Sequence, residues 1–177
     1  LLPGELTYTA LGAGGGEAPA ERLVNKASLE TLKMVIGKLG EEPMGGRIAR
    51  AIVEARKAGP IKTTLELARL VESAYPAARR AKSRRHPATK TFQALRMAVN
   101  KELEELERFL ELIPGYLNPG GRVVVISFHS LEDRMVKRAF QREAKGCICP
   151  REAPICTCGK VPRLKVLTRK PVGPGPE

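Results

Sequence analysis

Residues 120–134 read Gly-Gly-Arg-Val-Val-Val-Ile-Ser-Phe-His-Ser-Leu-Glu-Asp-Arg and predict the fold class of the chain. A glycine turn leads into an uninterrupted run of β-branched apolar residues at 123–126. A strand without polar alternation is typical of α/β proteins, in which both faces of the sheet are covered. The apolar run then stops, and six of the eight residues at 127–134 can donate, accept or carry charge. Because open α/β sheets bind ligands at the carboxyl ends of their strands, we predict a site at this corner.

The composition indicates a globular chain with a basic surface. It has 177 residues, enough for one ordinary domain or two small ones, and 42% of them are hydrophobic. Lys and Arg total 31 against 19 Asp and Glu, which gives a formal net charge of +12. This excess favours a polyanionic partner such as nucleic acid. With no Trp, three Tyr and four Phe, a broad base-stacking platform is disfavoured.

The sequence also bears on location. It has no apolar run approaching the roughly 20 residues that span a bilayer, so we expect no membrane partner. Its first residues lack the charged and apolar regions of a signal peptide. We therefore expect a cytoplasmic protein, with an organellar matrix as the other address.

Capping signals and apolar spacing predict a helical section in the first half of the chain. Ser28 can cap a helix that Gly40 stops. A second helix is expected over about 46–58 from its apolar periodicity. Thr63 and Glu66 have the spacing of a capping box, which predicts the start of a third helix.

The second half is predicted to mix helices and strands. Apolar residues three and four apart predict one long helix from Thr89 to just before Pro114. The run at 122–127 is expected to be a strand, and Ser130 is expected to cap the helix that comes next. Residues 164–168 are expected to form the last strand.

A densely basic segment joins two predicted helices just before His86. Its charged residues, here called the basic segment, are Arg79, Arg80, Lys82, Arg84 and Arg85. Like charges at this density repel one another unless a polyanion neutralises them, which favours contact with phosphates. A solvated connecting loop is the alternative. Arg96 and Lys101 extend the positive charge onto the following helix, whereas His86 fits a loop residue better than a catalyst.

The four cysteines of the chain lie within 12 residues, as two Cys-x-Cys pairs separated by six residues. They are Cys147, Cys149, Cys156 and Cys158. Four thiolates could form a tetrahedral zinc site, although paired zinc ligands are more often separated by two residues. Disulfides and free thiols are the alternatives, and the lack of a signal peptide disfavours disulfides. A zinc ion held by four protein ligands would be structural, because no position stays open for a substrate.

Four segments together resemble a known family. They are residues 47–52 (Arg-Ile-Ala-Arg-Ala-Ile), 85–96 (Arg-His-Pro-Ala-Thr-Lys-Thr-Phe-Gln-Ala-Leu-Arg), 124–134 and 167–171 (Leu-Thr-Arg-Lys-Pro). In this order they resemble the C-terminal part of the S-adenosylmethionine-dependent methyltransferases that modify N4 of a cytidine in bacterial small-subunit rRNA. The resemblance covers roughly residues 22–172, and the segments at 86–89 and 127–134 are specific to that family.

The resemblance implies an α/β fold, a partial Rossmann-like methyltransferase domain with an α-helical insertion. Residues 1–21 would be a flexible or divergent lead-in, and 22–88 the helical substrate-recognition insertion. Residues 89–177 would be the C-terminal part of the methyltransferase domain, with a Cys-rich loop at 146–159. The glycine-rich stretch at 12–16 follows no predicted strand, so it does not meet the context of a cofactor loop.

Two functional hypotheses follow from the resemblance. The first is S-adenosylmethionine-dependent N4-methylation of a cytidine in small-subunit (16S-type) rRNA, with the rRNA or the 30S-type subunit as partner. Ser127, His129 and Ser130 are the candidate catalytic residues, and the cofactor-binding residues are unknown. The second is a non-catalytic RNA-binding or ribosome-assembly protein of the same descent, because the family's cofactor loop and Asp-Leu-Gly segment are missing. The candidate RNA-binding residues in both cases are the basic segment, His86 and Arg96.

Two origins would explain the missing segments: a piece of a longer methyltransferase, or a remnant that has lost cofactor binding. In either case the isolated chain is expected to bind S-adenosylmethionine poorly.

Overall fold

The computed structural model describes residues 20–77, 86–150, 155–168 and 172–173. The chain divides into two compact units, one within Leu1–Glu102 and the other within Leu103–Glu177. The glycine-rich stretch at 12–16 and the basic segment lie outside the described residues. In the described part of the chain, no helix is both long and apolar enough to cross a membrane.

The first unit is helical throughout its described elements. These are α1 (Ala20–Lys26), α2 (Leu29–Met34) with a π-helical turn (Val35–Leu39), α3 (Gly45–Ala58), α4 (Thr64–Ala74) and α5 (Thr89–Asn100). The predicted helix starts are confirmed. The Ser28 hydroxyl accepts a hydrogen bond from the Thr31 N–H, and Thr63 forms a complete capping box with Glu66.

One hydrophobic core joins these helices. The side chains of Leu32, Ile36, Ile48, Ile52 and Leu67 are fully buried. Their spacing of three or four residues within each helix places them on one face, as the sequence pattern predicts. Burial of an aliphatic side chain of this size contributes about 1.5–3 kcal/mol, so this core supplies most of the unit's stability.

Polar side chains fix the ends of the first helices. The amide of Asn25 exchanges two hydrogen bonds with the backbone of Ile61, each over 2.8 Å. The Arg56 guanidinium donates to the Val24 carbonyl at the end of α1 over 2.9 Å. These bonds join α1 to α3 and to the turn before α4, although they link residues more than 30 positions apart.

The long helix predicted from Thr89 to Pro114 is two helices, so that prediction was wrong. The α5 helix ends at Asn100, and α6 runs over Glu102–Tyr116. Between them Lys101 adopts a left-handed conformation with φ 52°. Pro114 lies inside α6 near its end, where the loss of one backbone N–H breaks few hydrogen bonds.

The second unit holds most of α6, and α7 (Ser130–Ala144). Two segments were predicted as strands, 122–127 and 164–168. Among the residues that the structure describes, neither is paired into a sheet. The regular elements of the described part are helices, so the predicted α/β character is not present there. A strand needs a neighbouring strand to complete its backbone hydrogen bonds, and neither segment has one among the described residues. The predicted domain boundary near residue 88 stays a prediction.

Candidate functional site

His129 caps α7 at the corner that the sequence singles out. Its Nδ1 accepts a hydrogen bond from the Glu132 N–H over 3.4 Å. The Glu132 carboxylate reaches back and accepts from the Phe128 N–H over 2.9 Å. Ser130 was predicted to be the cap, and that prediction was wrong. The backbone stays extended through His129, with φ −146° and ψ 161°, so Ser130 is already the first helical residue.

One nitrogen of His129 is left unused by this cap. Nε2 is buried and has no hydrogen-bond partner among the described residues. The nearest carboxylate oxygen, Oε1 of Glu132, lies 3.1 Å away but outside hydrogen-bond alignment. Because Nδ1 accepts a hydrogen bond, a neutral imidazole carries its proton on Nε2. His129 therefore holds one buried N–H donor beside the Glu132 carboxylate.

The three candidate catalytic residues do not share one environment. Exposure alternates along the extended segment, with Val123, Val125, Ser127 and His129 half-buried and the residues between them exposed. Ser127 and His129 thus lie on the same side of the extended backbone. Ser130 is exposed in the first turn of α7. The structure groups Ser127 with His129 and separates Ser130 from them.

The predicted RNA-binding residues are partly described. Arg79, Arg80, Lys82, Arg84 and Arg85 lie outside the described residues. His86 Nε2 lies 2.8 Å from a Glu72 carboxylate oxygen, and its Nδ1 accepts from the Ala88 N–H. His86 therefore anchors the start of α5 to α4, as expected of a loop residue rather than a catalyst.

Arg96 is held by an intramolecular carboxylate. Its guanidinium donates two hydrogen bonds to Glu102, over 2.8 and 3.0 Å. This bidentate pair stabilises the helix break at Lys101, and it locally neutralises the charge of Arg96. A phosphate would have to compete with Glu102 for this side chain.

The four cysteines converge on one point. Cys156 Sγ lies 3.4 Å from Cys147 Sγ, 3.9 Å from Cys149 Sγ and 3.5 Å from Cys158 Sγ. The Sγ atoms of Cys147 and Cys158 are 3.8 Å apart. All four are free thiols in the structure. The spacing pattern in the sequence therefore corresponds to a real cluster.

Backbone amides donate to the sulfurs of this cluster. The N–H groups of Ile148 and Lys160 are the main reasons that the pKa of Cys158 is lowered to about 6. The N–H group of Thr157 likewise lowers the pKa of Cys149. Cys147 accepts from the Cys149 N–H, which lowers its pKa, but hydrogen bonds with neighbouring sulfurs outweigh this and raise it to about 12.

An ion pair at the end of α7 closes the loop that carries the cysteines. The Arg163 guanidinium lies 2.7 Å from a Glu143 carboxylate oxygen, and the Arg163 N–H donates to the Glu143 carbonyl over 3.0 Å. Lys160 also donates to the Arg142 carbonyl. Burial by itself raises the pKa of Glu143, but the hydrogen bond and charge of Arg163 outweigh it, and the pKa is lowered.

Sequence reasoning did not find the roles of Glu132, Glu143 and Arg163. The spacing of three residues between His129 and Glu132 is that of a capping box. A histidine cap is outside the usual set of capping residues, so the pattern did not stand out. The contact between Glu143 and Arg163 spans 20 residues and leaves no local signal.

The chain matches a model described as the MraW methylase family over residues 16–177. It therefore belongs to that family, as the sequence resemblance indicated. The match is to the C-terminal part of the family's proteins.

Three relatives carry the name Ribosomal RNA small subunit methyltransferase H. The protein of Oleidesulfovibrio alaskensis is 67% identical over 161 residues, which are 90% of this chain and 50% of that protein. The protein of Nitratidesulfovibrio vulgaris is 63% identical over 158 residues, 89% of this chain and 44% of that protein. The protein of Solidesulfovibrio magneticus is 60% identical over 167 residues, 94% of this chain and 52% of that protein. The chain thus spans about half the length of the relatives it matches.

Proposed function

We propose that the complete protein transfers a methyl group from S-adenosylmethionine to N4 of a cytidine in small-subunit rRNA. This chain would supply the RNA-recognition part and the C-terminal part of the catalytic domain. The observation that carries the proposal is the 67% identity, over 90% of the chain, to a protein named as a small-subunit rRNA methyltransferase. The proposed location is the cytoplasm, where the small ribosomal subunit or its rRNA would be the partner.

S-adenosylmethionine would supply an electrophilic methyl group, and this chain would hold the acceptor base. The lone pair of a cytosine amine is delocalised into the ring, so N4 is a poor nucleophile. Correct orientation of the base is then the main contribution that the protein can make. The unused Nε2–H of His129 fits this task, because cytosine N3 and O2 are acceptors. Ser127, on the same half-buried side, could bind the exocyclic amine.

A base in a pocket must first leave its helix or loop. Enzymes that modify a base extrude it, and the flanking backbone must be held while this happens. The basic segment would bind those phosphates without regard to sequence. His86, which follows this segment in the sequence, is held by its contact with Glu72.

The extended residues 121–127 support a Rossmann-like sheet in the complete protein. Their outer side chains are strongly apolar, and Val124, Ile126 and Phe128 are 88%, 78% and 90% exposed. Large apolar residues in a row are rarely left in water. We therefore propose that this segment is a strand of a sheet completed by residues outside this chain.

The test of the activity uses the full-length protein, labelled S-adenosylmethionine and small subunits that lack the modification. Nucleoside mass spectrometry should find the label on N4 of one cytidine. Transfer to another atom would disprove the proposed specificity. Binding of the subunits without any transfer would support the non-catalytic alternative.

The role of His129 requires a variant that keeps the helix cap. His129→Ala removes both the cap and the imidazole, and a lost cap alone costs about 0.5–2 kcal/mol of stability. His129→Asn restores a good cap but not the Nε2 donor. We expect both variants to lose methylation strongly, while His129→Asn keeps the thermal stability of the wild type. Full activity of His129→Asn would show that His129 serves the helix rather than the substrate.

A further inference from the structure

The cysteine cluster has the dimensions of a metal site. In a tetrahedral site with Zn–S bonds of about 2.3 Å, neighbouring sulfurs are about 3.8 Å apart. Four of the six separations in the cluster run from 3.4 to 3.9 Å, close to that edge length, and all four sulfurs lie within 4.8 Å of one another. A single ion at the centre of the cluster could therefore reach all four sulfurs with small adjustments.

The same distances argue against disulfides. A disulfide requires two sulfurs about 2.05 Å apart and therefore selects pairs. Here Cys156 Sγ lies within 3.9 Å of the other three sulfurs, and no pair stands out. Four sulfurs that all lie within 4.8 Å of one another fit a shared ligand better than two separate bonds.

Backbone N–H groups donate to sulfurs on both arms of the cluster, residues 147–149 and residues 156–158. The Ile148 N–H of the first arm donates to Cys158 Sγ of the second. The Thr157 N–H of the second arm donates to Cys149 Sγ of the first. Each arm therefore orients a sulfur of the other, and such supporting bonds are a regular feature of metal sites.

We propose that Cys147, Cys149, Cys156 and Cys158 bind one Zn²⁺ ion in a closed, structural site. Zinc suits this donor set, since soft thiolates arranged as a tetrahedron select zinc over harder divalent cations. The site would fix the loop between α7 and residue 163, and the Glu143–Arg163 ion pair closes that loop at its base. With four protein ligands, the ion would take no part in methyl transfer.

The first experiment measures metal in the full chain purified under reducing conditions without chelators. One zinc per chain is expected by elemental analysis. After exchange with Co²⁺, the protein should show the intense visible absorption of a tetrahedral cobalt–thiolate centre. Absence of zinc, together with rapid alkylation of all four thiols in the folded chain, would overturn the proposal.

A matched pair of variants then locates the site. Cys149→Ser removes a proposed ligand, while Ile148→Ser changes the adjacent side chain and leaves the four sulfurs intact. We expect Cys149→Ser to lose at least tenfold in zinc affinity, measured by competition with a chromophoric chelator, and Ile148→Ser to keep it. Equal zinc affinity in both variants would show that the metal is bound elsewhere. If Cys149→Ser fails to fold, the cobalt spectrum of the wild-type chain still decides whether thiolates bind the metal.

Discussion

Glu143 holds the cysteine loop with both its side chain and its backbone. Its side chain is 7% exposed and contacts the guanidinium groups of Arg142 and Arg163, which are about half exposed. The carbonyl of the same residue accepts from the Arg163 N–H. A buried carboxylate is costly unless it is paired, so these bonds keep Glu143 ionised in the folded chain.

This arrangement predicts a pH-dependent contribution to stability. The folded-state pKa of Glu143 is lowered from its ordinary value of 4.5. Its stabilising effect is therefore fully present above pH 4.5 and is lost as the pH falls from there through the folded-state pKa. We expect Glu143→Gln to lower the free energy of unfolding by about 1 kcal/mol at neutral pH, since the arginines are partly solvated.

Denaturant unfolding at a series of pH values checks this prediction. The difference between the wild type and Glu143→Gln should shrink as the pH is lowered below 4.5. Glu105→Gln is the control, because Glu105 is an exposed carboxylate of α6. A difference that does not change with pH would mean that the charge of Glu143 is unimportant.

Gly40 is a residue whose predicted role is correct but whose physical reason differs from the expected one. Gly40 was predicted to end its helix, and it does. However, Gly40 has a right-handed backbone, and the left-handed residue is Glu41 with φ 44°. A side chain at Gly40 would lie 2.8 Å from the Lys90 carbonyl of α5. Close packing of two elements, which the sequence does not display, explains this glycine.

At the scale of elements, glycines let the π-helical turn and α3 approach each other. A Cβ atom at Gly45 would lie 2.8 Å from the backbone of Gly37. Backbone cannot move aside as a flexible side chain can. The neighbouring Gly46 has room, since its Cβ would contact only the end of the Arg50 side chain at 4.0 Å.

Gly45→Ala and Gly46→Ala form a matched pair that tests this contact. We expect Gly45→Ala to destabilise the first unit by about 1–3 kcal/mol, as overpacking does. Gly46→Ala should leave the stability unchanged or raise it by up to about 1 kcal/mol, because alanine favours the helix. Urea unfolding measures both, and similar midpoints would show that the two helices can separate without cost.

The elements predicted correctly are those with local signals. Ser28 and the pair Thr63–Glu66 mark helix starts within a few residues of sequence, and both are confirmed. The break at Lys101 is different, because no glycine or proline marks it and the Arg96–Glu102 contact beside it spans six residues. The strand at 122–127 could not be confirmed for a related reason, since strand pairing depends on residues distant in sequence.

The candidate sites were also predicted only where the sequence carries a local signal. Cys-x-Cys spacing predicted a cluster, and the structure brings the four sulfurs together. The spacing alone could not show that backbone N–H groups of each Cys-x-Cys pair would orient sulfurs of the other pair. At the corner, the position of His129 was predicted from the end of an apolar run, but its role as a cap was not. Whether His129 also contacts a substrate stays a prediction.

At the scale of the whole molecule, the chain has a basic composition, and its described residues include an exposed row of large apolar side chains. The net charge of +12 suits the proposed RNA partner. The exposed row formed by Val124, Ile126 and Phe128 suits a different partner, the remainder of the catalytic domain. Since the chain spans about half the length of its relatives, the proposed covering surface would come from the other half of the full-length protein.

This reasoning predicts opposite behaviour for one substitution in two contexts. Ile126→Thr removes an exposed apolar side chain from the chain alone, where its effect on stability should stay within about 0.5 kcal/mol. The solubility of the isolated chain should rise, and its binding of a hydrophobic dye should fall. In the full-length protein the same position would be covered, and the substitution should cost about 1–3 kcal/mol.

Ile155→Thr is the control, because Ile155 is 74% exposed and lies in the cysteine loop rather than in the proposed strand. It should be nearly neutral in both contexts, as measured by thermal unfolding. If Ile126→Thr is also neutral in the full-length protein, residues 121–127 do not join a sheet there, and the proposed Rossmann-like completion is wrong.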